Sequence, residues 1–236
     1  VADRFQTTRW SLVLAAARGD ERSGEALEWL CATYWQPLYA FIRRQGHDSE
    51  AARDLTQSFF LSLLDRNSLQ RIDPAEGRFR SFLLASIKHF LAHDRDRQQA
   101  LKRRTDDPAF RLDFEAAEAG YLREAAGGSS PEDIYESRWA KAILDRALRR
   151  LGEEHETTGK GEMFRRLSGC LTGDDAPYDR LAADLGMTEG ALRVAVHRLR
   201  RRLGELLRAE VAHTVANPDD VKREVRSLVE AIGRAS

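Results

Sequence analysis

From Tyr178 to Arg208 the chain reads YDRLAADLGMTEGALRVAVHRLRRRLGELLR, a spacing that few structures can accommodate. Leu181, Ala182 and Leu185 form the apolar face of one short helix, and Gly186 supplies the permissive backbone that ends it. Thr188 stands where an N-cap belongs. Beyond it Ala191, Leu192, Val194, Ala195, Leu199 and Leu203 predict the inner face of a second, longer helix. Between those positions lie Arg193, His197, Arg198, Arg200, Arg201, Arg202 and Arg208, against one acid, Glu205. Two helices about a tight turn, the second one basic, make a helix-turn-helix pattern whose second helix suits a DNA major groove. An ordinary amphipathic helix with a solvated basic face shares this periodicity, so the rest of the chain must discriminate.

The 236 residues allow one or two domains, each large enough for a core. Net charge is zero, so any nucleic-acid surface must come from segregated charge. Residues 78–104 carry eight Lys or Arg against two Asp, whereas 105–137 carry nine acids against two Arg. Cys31 and Cys170 fit neither a disulfide framework nor a zinc spacing, and are expected as small core residues in a reducing cytosol. There is no signal peptide and no apolar run of membrane-spanning length, so the expected location is cytoplasmic, without membrane contact. The chain begins at Val1 rather than Met, which leaves room for a few preceding residues.

Catalytic motifs are not found. His89 and His93 have the i, i+4 spacing of metal ligands, but no Glu follows in HExxH order and Asp94 is the only adjacent acid. Gly152 and Gly159-Lys160-Gly161 lack the GxxxxGK[ST] spacing of a phosphate loop. The expectation is a protein that is not an enzyme and has no cofactor and no metal.

Helical periodicity dominates and predicts an all-α fold. Residues 1–104 form a first domain. Within it Leu27, Leu30, Tyr34, Leu38, Phe41 and Ile42 pattern a helix over 25–44, which Pro37 should kink or divide. After a break at Gly46 and His47, Asp48 or Ser49 starts a helix to about Asp65, with Leu55, Phe59 and Leu63 buried. Asp73-Pro74 to Gly77 is a turn, and 79–97 a third helix. Residues 105–130 are acidic, contain Gly127-Gly128-Ser129-Ser130 and lack a sustained period, which predicts a flexible linker. Ser130-Pro131-Glu132-Asp133 opens a second domain, 131–212, with a helix through Trp139, Ile143, Leu144, Leu148 and Leu151. A break at Gly159 to Gly161 and a segment from Met163 to Leu171 precede the helix-turn-helix. The tail, 213–236, starts a helix at Asn217-Pro218 with Val221, Val225, Leu228, Val229 and Ile232 on one face. Such a stripe must bury against something, and the chain's own domains are the expected site.

The helix over 79–97 interleaves Phe79, Phe82 and Phe90 with Arg78, Arg80, Lys88, Arg95 and Arg97, ahead of Lys102-Arg103-Arg104. Basic groups neutralise phosphates and aromatic faces stack on unpaired bases, although Phe82 and Phe90 suit a core equally. Asp54-Leu55-Thr56-Gln57-Ser58-Phe59-Phe60 is similar to a DLxQExF stretch. With the basic helix and the helix-turn-helix following in order, the chain resembles bacterial RNA polymerase sigma factors of the sigma-70 superfamily, extracytoplasmic-function type. The stretches TTRWSLVLAAARGD and SPEDIYESRWA look like one branch of that group.

The resemblance implies a region 2 helical bundle and a region 4 helix-turn-helix domain joined by the flexible acidic linker. It implies core RNA polymerase as partner, through the clamp helices of the largest subunit and the flap of the second largest, together with promoter DNA. Asp54, Gln57, Ser58 and Phe59 would dock on polymerase. Arg80, His89, Arg95 and Arg97 would face the −10 element, and Thr188, Arg193, His197, Arg198, Arg200 and Arg201 the −35 element. The linker would run toward the active-site and RNA-exit path.

Two departures from the family pattern matter. His89 stands where Asn is usual, and Ser58 where Glu is usual. Losing that carboxylate should weaken docking on a basic surface, and phosphorylation would restore the charge. A Ser/Thr kinase acting on Thr56 or Ser58 is therefore an expected regulator, Ser58 sharing the face of Asp54; an anti-sigma factor is another. Asp54, Asp48 and Glu50 could also supply enough charge unaided. The competing reading is a helix-turn-helix repressor or activator acting without polymerase docking. An anti-sigma or adaptor protein with a vestigial helix-turn-helix is a third, and the intact arginine run from Arg193 to Arg208 argues against it.

Overall fold

A computed structural model describes residues 23–64, 78–97, 112–124, 128–171, 178–215 and 217–235. The turn at Asp73 to Gly77, the cluster at Lys102 to Arg104 and the stretch over 7–20 lie outside the described residues. The α-helices in chain order are α1 (Ser23–Arg44), α2 (Ser49–Leu64), α3 (Phe79–Arg97), α4 (Phe114–Glu124) and α5 (Pro131–Thr157), followed by α6 (Gly161–Leu167), α7 (Tyr178–Asp184), α8 (Glu189–Ala212) and α9 (Val221–Ala235). Among the described residues no strand forms, and the sole β feature is an antiparallel bridge between Arg78 and Val215. The fold class is all-α, as expected. Among these helices none is long and apolar enough to cross a membrane.

The chain divides into two compact units, Val1–Ala142 with Ala212–Ser236, and Ile143–Val211. The boundaries differ from those expected at 130 and 212. The first half of α5 and the tail both belong with the N-terminal part, so one unit is built from both ends of the chain and the other is contiguous.

The two-ended unit has an aromatic core. Tyr34, Tyr39, Phe41, Phe79, Tyr135 and Trp139 are almost wholly buried, with Leu38, Ile42, Leu83 and Ile87 among them. The ring of Tyr34 meets Phe79 edge-on at 5.0 Å between centroids, and the Trp139 indole N–H donates to the Tyr34 hydroxyl at 3.2 Å. Helix α1 continues through Pro37 as one element rather than dividing there. Buried residues on both sides of Pro37, Thr33 to Trp35 and Leu38 to Ile42, hold the helix together across the missing amide. Gly46, at a φ of 97°, reverses the chain after α1, and the Asp48 carboxylate accepts the Ala51 amide at 2.8 Å to start α2.

The acidic segment is not a featureless linker. Asp113 caps α4, accepting the Ala116 amide at 3.0 Å, and Phe114, Ala117 and Tyr121 bury a face at i, i+3 and i+7 spacing. Phe114 meets Trp35 and Tyr39 edge-on at 5.3 and 5.4 Å, and the Arg53 guanidinium lies 5.1 Å from its ring centre. Glu118 accepts from Arg43 at 2.7 and 2.9 Å and from the Tyr39 hydroxyl at 2.6 Å. Three apolar anchors and one ionic clasp act against the entropy cost of ordering eleven residues.

The tail closes the same unit. The Phe79 amide donates to the Thr214 carbonyl at 3.0 Å, and the Asn217 side chain accepts the Asp219 amide at 3.0 Å to begin the turn into α9. The buried face of α9 is Glu224, Leu228 and Ala231, flanked by the half-buried Val221, Val225 and Ile232. Val229, expected on that face, is 60% exposed. Val229 shares no phase with Glu224 and Ala231, and the buried acid rather than the fifth aliphatic residue sets the helix's rotation.

The contiguous unit is aliphatic. Ala147 and Leu151 from α5, Leu167 from α6, Ala182 from α7 and Leu192, Val196, Leu199, Leu203 and Leu206 from α8 form its core. The Ser130 hydroxyl accepts the Asp133 amide at 3.1 Å at the start of α5, as its sequence signature predicts. Both cysteines are buried, and burial pushes the Cys31 thiol up to about 12.

Candidate nucleic-acid interface

In the contiguous unit, α7 and α8 are two helices joined by a short turn, at the positions the sequence predicts. Gly186 takes a φ of 62°, the Gly186 amide donates to Ala183 and the Met187 amide to Ala182, which closes α7 with a left-handed cap. Thr188 caps α8 through its hydroxyl, which accepts the Ala191 amide at 3.2 Å. Packing of Leu192, Val196, Leu199 and Leu203 into the core turns the opposite side of α8 outward. That outward side carries Gly190, Arg193, Val194, His197, Arg198 and Arg201, all exposed.

The inner face differs in detail from the one expected. Ala191 and Val194 are exposed, and Val196 is buried in their stead. Val194 and Val196 are two residues apart and therefore about 200° apart around the helix, so only one of them can face the core.

The basic residues of α8 are held in different ways. Arg193 binds Glu189 one turn earlier at 2.5 Å and lies 5.0 Å from the Tyr178 ring centre; the hydrogen bond to Glu189 raises its pKa. Arg202 pairs with Glu154 and Glu205, each at 2.7 Å, and their hydrogen bonds raise its pKa and lower those of both acids. Arg200, expected to face DNA, is half-buried and donates twice to the Cys170 carbonyl, at 2.8 and 3.3 Å. That carbonyl ends a 3₁₀ turn and needs a donor, so Arg200 braces the segment before the helix-turn-helix. His197, Arg198 and Arg201 are exposed and make no ion pair among the described residues.

In the two-ended unit, α3 is the predicted basic helix with its expected bounds. Phe79 and Phe90 are core residues and Phe82 is half-buried, so the aromatic series serves packing. Arg80 faces inward, 5% exposed, and cannot serve as the expected −10 contact in this arrangement. Its guanidinium pairs with Glu224 and Glu136 and lies 4.6 Å from the Trp139 ring centre, while its carbonyl accepts the Tyr135 hydroxyl at 2.9 Å. Arg78 adds a second cation to Glu224 at 3.5 Å. A buried cation needs such partners, and the tail supplies the carboxylate.

The outward side of α3 carries Lys88, His89 and His93. Lys88 pairs with Glu132 at 2.6 Å and lowers its pKa, and the rings of His89 and His93 are 4.4 Å apart. Arg95 and Arg97 lie in the last turn of α3, and their side chains fall outside the described residues. No group of three metal-ligating side chains occurs among the described residues.

The outward stripe of α2 is Glu50, Arg53, Asp54 and Leu61, with Gln57 half-buried beside it. Phe59, expected at a docking surface, is buried and meets Phe60 and Phe90 edge-on at 5.8 and 5.6 Å. Thr56 is wholly buried, and its hydroxyl donates to the Ala52 carbonyl at 2.6 Å, so a kinase could reach it only if α2 opened. Ser58 is half-buried and lies one turn from Asp54.

No family model matches this chain, and no solved structure matches it.

Proposed function

We propose that this protein is a sigma factor that binds core RNA polymerase and directs promoter-specific initiation through −10 and −35 elements. The observation that carries the reading is α8: a helix capped by Thr188 after a left-handed glycine turn, presenting Arg193, His197, Arg198 and Arg201 outward from an aliphatic core. Such a helix lays its N-terminal turns against base edges and its cations on phosphates. The exposed carboxylates Glu50 and Asp54 of α2 suit a basic docking surface on the clamp helices, and the exposed His89 of α3 suits the −10 strand. Regulation through the Asp54 to Phe60 stretch then falls to Ser58, the more accessible of the two candidate hydroxyls, where a phosphate would add charge beside Asp54.

The test is run-off transcription with core polymerase on genomic fragments. Discrete starts that depend on this chain, sharing upstream elements, are the expected result. Binding to a palindromic duplex as a dimer, with no transcripts from polymerase, would overturn the reading in favour of a repressor or activator.

A further inference from the structure

Over its first two turns the outward face of α8 has a centre that is not basic. Taking 100° per residue, Gly190, Val194, His197 and Arg201 fall within about 60° of one another, while Arg193 and Arg198 flank them. Val194 is 50% exposed, a branched aliphatic side chain left in water among cations. One turn earlier, Gly190 is exposed, and a Cβ placed there would meet nothing within 4 Å. The first two turns of the helix thus present a bare backbone followed by a small apolar knob. Arg193, the nearest cation, is drawn aside by Glu189 and the Tyr178 ring.

A valine neither donates nor accepts a hydrogen bond, so it cannot read the nitrogen and oxygen pattern of a base edge. On the major-groove edge of a duplex the distinctive apolar group is the 5-methyl of thymine. Gly190 lets the helix approach closely, and the flanking cations suit the phosphates on either side. We infer that Val194 is a specificity-determining residue that packs against a thymine methyl in the −35 element. The inference rests on the sigma reading and deepens it, replacing Arg193 with Val194 at the centre of base recognition.

The experiment uses the full chain assembled with core polymerase and a −35 duplex selected from a randomised library. Each thymine is replaced in turn by deoxyuridine, which removes the methyl and leaves every hydrogen-bonding group in place. At one thymine the replacement should weaken wild-type binding about fourfold, the worth of one buried methyl-sized group. The Val194→Ala protein should bind the parent duplex more weakly and be indifferent to the same replacement. Val194 is exposed, so this variant leaves the core untouched. If a −35 preference exists but no methyl is felt, or wild type and variant lose equally, the inference fails and the sigma reading stands. If the assembled complex selects no −35 sequence at all, both fail.

Discussion

In the unit formed by both ends of the chain, Arg43 and Arg80 turn inward to Glu118, Glu136 and Glu224, whereas in the contiguous unit His197, Arg198 and Arg201 face water. The first unit is aromatic and threaded by paired charge; the second is aliphatic, and most of its ion pairs lie on its surface. A cation inside must be matched by a carboxylate, so its position dictates where a second helix docks. A cation outside commits nothing, and remains available to a partner. Arginine thus locates α4 and α9 in one unit and stays on the surface in the other.

Removing Glu224 attacks that contrast most directly. Glu224→Ala strips a wholly buried carboxylate from both Arg78 and Arg80, and should lower stability by about 3–5 kcal/mol in denaturant unfolding. A loss near zero would show that the charge inside is not what fixes α9.

The clasp on α4 tests an intermediate degree of burial. The hydrogen bond from Arg43, chiefly, holds the Glu118 carboxyl below its ordinary 4.5. A folded-state pKa below the unfolded one contributes stability that is present above 4.5 and lost as pH falls through the folded value. Glu118→Gln should cost about 1–2 kcal/mol at neutral pH. Urea midpoints compared at neutral pH and below the carboxylate range should converge for wild type and variant; a constant gap between them would remove Glu118 as the titrating group.

The smallest effect belongs to the contiguous unit. Arg202→Ala breaks two short ion pairs on half-exposed groups and should cost no more than about 1 kcal/mol, with loss of even that in high salt. If it matched Glu224→Ala, the distinction between the two units would collapse.

Local signals were readable in the sequence because they act within a few residues. The bounds of α3, the Ser130 cap of α5, and the Gly186 turn with Thr188 behind it all follow from neighbours in the chain. The misplaced assignments share a cause. Arg80 has its carboxylate 144 residues away, and Arg43 has Glu118 75 residues away, so nothing local distinguishes an inward arginine from an outward one. Arg200 likewise finds a carbonyl 30 residues back. In α8 the periodicity defined an apolar side but not its centre, and the choice between Val194 and Val196 awaited the packing of α5 to α7 against it.

The two-ended unit also sets a timetable on the ribosome. Nascent domains usually fold in order of synthesis, at about 5–20 residues per second. Arg80 emerges 144 residues before Glu224, an interval of roughly 7–30 s at those rates. The contiguous unit is complete at Val211, before α9 has been made. The domain begun first is therefore finished last, and until α9 arrives the nascent chain must hold a cationic side chain and an aromatic core without their cover.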